Sequence, residues 1–294
     1  MTTLLPVLAL GFNALVWGLS WWPLKTLESQ GLHPLWATAI IFAVSMVCVL
    51  LWRPQAWRGM RQHPALWILL LASGLTNVCF NWAVTVGDVV RVVLLFYLMP
   101  TWSLLLAWWL LGERPTGHAL LRLLLALVGV ALVLKTPDTD WPLPQSLADF
   151  LALLGGFCFA LTNVLLRRLH DTPEAARMLA MFGGGTFTAL AFALVGTAAG
   201  FVTHPAMARE LGWLAILGLT AAFLLGNLAL QYGAARLSAH TTAMVMLSEV
   251  VFASVSSISL GASEWTARIA LGGSLIVLTA LLASRPSKTS LESP

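Results

Sequence analysis

An all-α membrane protein, with ten transmembrane helices in two inverted five-helix repeats, is the fold class this sequence predicts. Three observations predict it. The 294 residues are 59% hydrophobic and only 10% charged, where soluble domains hold roughly 45–50% and about 25%. Apolar runs of about 20 residues, the length that crosses a bilayer, occur ten times between boundaries of charge, Pro or Gly. The last five runs then repeat local patterns of the first five at a nearly constant offset, the mark of an internal duplication.

The first run, 4 to 23, lacks a basic start and is too long and aromatic for a cleavable leader, so it reads as a retained helix. Runs at 34 to 52, 65 to 86, 92 to 111 and 117 to 134 complete the first repeat, 4–134. Runs at 147 to 166, 178 to 201, 211 to 232, 239 to 260 and 267 to 283 form the second, 147–284. Pro100 predicts a kink in the fourth helix. Val250 stands near the corresponding position of the ninth, which is therefore expected to lack that kink.

Composition excludes a disordered scaffold, a secreted disulfide framework and a nucleic-acid binder. The net charge of +4 needs another reading. With the N-terminus cytoplasmic, eleven of the 16 basic residues fall on the inner face, which predicts both termini inside a bacterial-type inner (cytoplasmic) membrane. Asp138, Asp140 and Asp149 fall outside. Cys48, Cys79 and Cys158 lie in apolar stretches and read as packing residues. Trp21, Trp22, Trp36, Trp52, Trp57, Trp67, Trp141 and Trp213 lie at span ends, where aromatic belts form. Trp108 and Trp109 read as lipid-facing or packing residues.

The repeat is visible in particular residues. Trp17-Gly18-Leu19-Ser20 matches Phe159-Ala160-Leu161-Thr162, Asn81-Trp82-Ala83-Val84 matches Asn227-Leu228-Ala229-Leu230, and Leu111-Gly112 matches Leu260-Gly261. An odd number of helices per copy makes the second copy enter the membrane from the opposite side. Two inverted copies supply two exchangeable conformations, the architecture of alternating access around a midplane substrate. A channel or scaffold is the other outcome of such a duplication.

The chain resembles the EamA-type modules of the drug/metabolite transporter (DMT) superfamily, in the ten-helix branch that includes YddG-type amino acid exporters. The resemblance rests on Asn13-Ala14-Leu15-Val16-Trp17-Gly18, on Leu98-Met99-Pro100 and on Leu110-Leu111-Gly112-Glu113-Arg114-Pro115-Thr116. In the second half it rests on Phe159 to Asn163 with Arg167-Arg168, and on Ser248 to Phe252 with Leu260-Gly261. It implies a secondary transporter exporting small metabolites, amino acids or their derivatives above all, with a broad drug or organic-cation exporter as the alternative. The small multidrug relatives carry their coupling acid in the first helix. Here that helix has Asn13 and no acid.

Polar side chains inside a span are costly in lipid and turn toward a cavity or a neighbouring helix. Spacings of three or four put Asn13 with Trp17, Asn77 with Asn81, and Tyr97 with Thr101 on common faces. Phe159 with Asn163, Asn227 with Gln231, and Met244 with Ser248 repeat the arrangement. Helices one, three, four, six, eight and nine are thus expected around a central site, with two, five, seven and ten outside. Glu249 is the acid placed well inside a span, to hold a substrate ammonium or a proton. Its bland alternative is a structural carboxylate paired with His240 or a helix end, or a protonated acid hydrogen-bonded internally. Trp17 is the expected aromatic wall, with Tyr97 and Phe159 opposite. The partners expected are a small-molecule substrate and the lipid bilayer, with no nucleic acid, no obligatory protein partner, no cofactor and no metal. Gly183-Gly184-Gly185 lacks the Walker lysine and reads as close helix packing. No catalytic constellation appears at membrane depth, so an enzyme is not expected.

Overall fold

The computed structural model describes residues 4–111, 117–134, 143–169, 171–205, 210–234, 245–246 and 248–283. Among them every regular element is a helix: α1 (Leu4–Leu19), α2 (Trp21–Ser29), α3 (Pro34–Trp52), α4 (Ala56–Gln62), α5 (Ala65–Val86), α6 (Val89–Phe96), α7 (Met99–Leu111), α8 (Gly117–Leu134), α9 (Leu147–Arg168), α10 (Glu174–Ala198), α11 (Glu210–Ala234), α12 (Ser248–Ser259) and α13 (Ala267–Ala283). Six stretches are long and apolar enough to cross a membrane: Leu4–Ser29, Pro34–Trp52, Ala65–Val86, Leu147–Leu166, Glu174–Ala198 and Gly212–Leu230. Leu51, Val195, Leu214 and Leu271 are among the many exposed large apolar residues, a surface suited to lipid and not to water.

The sequence explains where helices stop. Three end on a glycine with positive φ: Gly31 at 90°, Gly200 at 82° and Gly261 at 68°. At the first, Gly31 N–H donates to Glu28 O at 2.8 Å and Leu32 N–H to Leu27 O at 3.0 Å. These two bonds close the last carbonyls of α2, and only glycine takes that left-handed turn without a Cβ clash. Helix starts are capped by side chains. Asp88 accepts from Arg91 N–H at 2.8 Å, and Ser146 with Asp149 forms a reciprocal capping box on α9. His33 accepts from Leu35 N–H at 3.2 Å. Burial holds the His33 pKa below its ordinary value, in keeping with the neutral ring this acceptor role requires.

The kink expected in the fourth span is a full break, since α6 ends at Phe96 and α7 begins at Met99. Pro100 has no N–H to bond the carbonyl four residues back, that of Phe96. That carbonyl lies against α9: a Cβ on Gly156 would stand 2.6 Å from Phe96 O. Gly156→Ala is therefore expected to force α9 off the break and destabilise the protein by about 1–3 kcal/mol. Thermal unfolding in detergent checks this; an unchanged transition would mean that the contact relaxes freely. In the ninth span Val250 lies within α12, while 239–244 and 247 lie outside the described residues.

Packing divides the helices into pairs. α5 lies between α9 and α10, α3 packs on α10 and α11, α1 packs on α11 and α12, α6 and α7 pack on α9, and α8 packs on α13. The Gly183-Gly184-Gly185 run does pack closely. Gly184 abuts Leu70 O and Gly74, and Gly185 abuts the Phe42 ring. Cys79 and Cys158 are buried free thiols, while Cys48 is exposed. Trp108 and Trp109 are exposed, at 52% and 80%. Trp21 departs from the belt expectation: it is 3% exposed, because the helical run continues to Ser29 and turns the indole inward, where Nε1–H donates to Ser256 at 3.0 Å.

Candidate functional site

The candidate site lies where α1, α5, α9 and α11 meet the α6–α7 break and α12. Its polar centre is Tyr97, in the break, and Glu249, in the first turn of α12. They are 3% and 7% exposed. The Tyr97 hydroxyl lies 2.9 Å from Glu249 Oε2 and 3.0 Å from the Met246 carbonyl. The phenol thus bridges the Glu249 side chain and the backbone oxygen of Met246, three residues before it. α1 also reaches Met246, as Asn13 Nδ2 contacts Met246 Sδ at 3.5 Å. Asn13 is 1% exposed, and its Oδ1 is buried without a hydrogen-bond partner. A buried amide oxygen without a donor is unusual and offers an acceptor to a ligand. α1 comes this close because Gly18 lies against Glu249 O, Ala253 N and Phe252 Cβ.

An aromatic cluster adjoins this centre. Trp17 stacks on Phe223 at 4.6 Å and meets Phe80 edge-on at 6.0 Å. Phe80 contacts Phe96 at 4.8 Å, and Phe96 contacts Phe159 at 5.5 Å and Tyr97 at 6.3 Å. Phe42 joins Phe223 to Phe182. The rings come from both halves of the chain, so the cluster bridges them.

Other expected residues lie elsewhere. Asn77 donates to Ser73 O within its own helix at 2.8 Å. Asn81 donates to Thr38 on α3 at 3.2 Å, an interhelical bond, with its Oδ1 left without a partner. Ser248 bonds back to Val245 O at 2.6 Å. Asn163 is exposed on α9, and Asn227 is half-buried on α11. The Gln231 side chain, Met244 and His240 fall outside the described residues. Trp17 is covered by Phe223, which stacks on it, and Phe159 is reached through Phe96. Phe42, Phe80, Phe96, Phe182, Phe223 and Met246 are absent from the sequence expectation. Spacing carried some signal: Phe223 lies four residues before Asn227, Phe80 three after Asn77, and Met246 three before Glu249.

Farther along α6 the two halves are tied by charge. Arg91 Nε and Nη2 donate to Asp149 Oδ1 and Oδ2 at 2.7 and 2.9 Å. Val90 N–H donates to Ser263 at 3.3 Å, and Lys25 Nζ to Gly87 O at 3.1 Å. A cleft of about 470 Å³ opens beside this end, lined by Asp88, Arg91, Ser263, Glu264 and Arg268. Its lining includes neither Tyr97 nor Glu249.

Residues 4–135 match the EamA-like transporter family. An uncharacterized transporter of Pseudomonas aeruginosa is 37% identical over 90 residues, which cover 29% of this chain and 30% of that relative's length. A solved structure described only as the crystal structure of a protein superposes with a TM-score of 0.59 at 20% identity, over 97% of this chain and 98% of the other. At that identity the likeness concerns the fold alone.

Proposed function

The EamA-like transporter family accounts for residues 4–135, and from that premise we propose that this multi-pass membrane protein exports small amine-bearing metabolites, amino acids or their derivatives foremost. It does so from a bacterial-type inner membrane, with both termini cytoplasmic, by alternating access between two inverted five-helix repeats, 4–134 and 147–284. The Tyr97–Glu249 pair beside the aromatic cluster carries this reading, because it joins an acid, a free amide acceptor and flat apolar walls between the two halves. Glu249 takes the amino group or a proton, Asn13 Oδ1 accepts from the same ligand, and Trp17 with Phe223 receives an apolar or ring-bearing part.

The pairing of helices supports the inverted repeat. Exchanging the first five spans for the second turns α1 on α11 into α9 on α5, α1 on α12 into α9 on α6, and α5 on α10 into α11 on α3, each of which is present. α3 on α10 and α8 on α13 map onto themselves. The family match also ends one residue past the proposed boundary of the first repeat. A broad organic-cation exporter is the second reading. It is favoured by the acceptor character of Glu249 and Asn13 Oδ1. In counterflow across liposomes, Trp17→Ala and Glu249→Gln are each expected to lower exchange at least tenfold for whichever of these classes is carried. Unchanged counterflow of every amino acid and organic cation tried, in both variants, would put the site elsewhere.

A further inference from the structure

We propose that the corner joining α3 to α5 is a binding site for the headgroup of an anionic phospholipid, held by Arg53, Arg58 and Arg61. Its place follows from the spans on either side. Pro34–Trp52 and Ala65–Val86 are each long and apolar enough to cross a membrane, so the short link between them, which contains α4, lies at the boundary of lipid and water. Packing fixes which way that link faces. Ala56, Gly59 and Met60 are buried, with α4 against α10, and a Cβ on Gly59 would stand 2.7 Å from that of Ala176. Ala56 N–H donates to Arg53 O at 2.9 Å and closes the turn between α3 and α4. Trp57, Arg58 and Arg61 are left on the exposed side of α4, and Arg53 is exposed at the turn.

The exposed side combines the two kinds of group that a headgroup region selects. Trp52, Trp57 and Trp67 are exposed, which is costly in water but favourable at the membrane interface, where indoles collect. Trp57 meets Trp67 edge-on at 6.3 Å, so α4 and the start of α5 share one aromatic edge. The Arg53 guanidinium lies over the Trp52 ring at 4.9 Å, which holds the cation at the depth of the indole. Guanidinium forks match the two non-bridging oxygens of a phosphodiester. A spacing of three puts Arg58 and Arg61 on one side of α4.

The charge of this corner is not cancelled by its neighbours. No acidic residue stands between Glu28 and Asp88. The helix packed on α4 brings Glu174, with Asp171 in the turn before it, but the same stretch, 167–177, also holds Arg167, Arg168 and Arg177. Among the described residues no acid forms an ion pair with Arg53, Arg58 or Arg61. A zwitterionic headgroup carries its own cation and leaves this surplus in place. A headgroup of net negative charge, such as phosphatidylglycerol, neutralises it.

Native mass spectrometry of the full chain, titrated with dioleoylphosphatidylglycerol and dioleoylphosphatidylcholine in competition, tests the site. Each basic side chain near an anionic surface favours binding about fivefold, so combining Arg53→Gln, Arg58→Gln and Arg61→Gln should lower the preference for phosphatidylglycerol at least about tenfold. A second measurement needs no variant and keeps the result readable should the triple variant fold poorly. In phosphatidylcholine vesicles containing a phosphatidylglycerol with a photoactivatable headgroup, the wild type should be labelled within residues 52–67. Full preference in a folded triple variant, or labelling confined to other segments, overturns the inference. Displacement of the lipid by an equal concentration of glycerol 3-phosphate also overturns it, since the site would then take a free phosphate. A dimer that the triple variant dissolves, with lipid binding unchanged, assigns the surface to a second copy of the chain instead. None of these readouts depends on what the protein carries, so they stand or fall apart from the exporter reading.

Discussion

Replacing Arg91 by alanine is expected to lower the stability of the detergent-solubilised protein by about 3 kcal/mol, the cost typical of stripping one partner from a buried ion pair. The Asp149 side chain is 2% exposed and that of Arg91 18%, so water cannot simply replace the guanidinium. Both carboxylate oxygens are engaged by its fork, at 2.7 and 2.9 Å. Asp149 also accepts from the backbone N–H of Gln145 and Ser146 at the start of α9, and these bonds would remain. Asp149 would then be a buried charge held only by backbone dipoles. Arg91→Lys should restore part of the loss, since an ammonium supplies the charge without the two parallel bonds. The double variant Arg91→Ala, Asp149→Asn should lose less than Arg91→Ala alone, because it no longer buries an unpaired charge. Thermal unfolding of four proteins, the wild type, Arg91→Ala, the double variant and Asp149→Asn as the second single variant, gives the coupling directly. A change below about 0.5 kcal/mol in Arg91→Ala would class the pair with exposed ones.

This ion pair shows what a sequence can and cannot tell. Asp149 was legible as an acid on the outer face, but 58 positions separate it from Arg91, and their meeting depends on α6 lying along α9. The same holds for Glu249. Its depth in a span marked it as functional, whereas its partner Tyr97 stands 152 positions away and comes within reach only because the chain breaks before Pro100. Asn77 and Asn81 share a face as their spacing requires, yet that face turns to Ser73 O and Thr38. Periodicity gives direction around a helix and not the identity of the neighbour. Phe80, Phe96 and Phe223 were hidden for a related reason. In a chain where most residues are apolar, an aromatic side chain at a site looks like one facing lipid, and only the tertiary packing separates them. The glycine run at 183–185 was easier, because small residues in a span have few uses besides letting backbones approach.

That approach supports the second large prediction, which sets two kinds of helical glycine against each other. A Cβ on Gly184 would run into Leu70 O, with Ser73 Oγ at 2.9 Å and Gly74 N at 3.0 Å. Two of these three obstacles are backbone and cannot swing away as a side chain could. Gly184→Ala should therefore push α10 from α5 and cost about 2 kcal/mol, the scale of an overpacked core. Gly184→Val should cost more, to the point where monodisperse protein is lost. Gly218 in α11 has nothing within 4 Å of its would-be Cβ. There alanine meets no obstacle and removes the flexibility penalty of glycine in a helix, so Gly218→Ala should raise stability by roughly 0.5–1 kcal/mol. Opposite signs from the same chemical change, read as shifts in thermal unfolding, would establish that α5 and α10 are in backbone contact. Equal shifts would mean that the two helices stand farther apart. The contact bears on transport because α5 and α10 fall in different proposed repeats. Two rigid units that rock against each other need a seam that holds while other contacts open, and a backbone contact packed on glycine supplies one without long side chains to disengage.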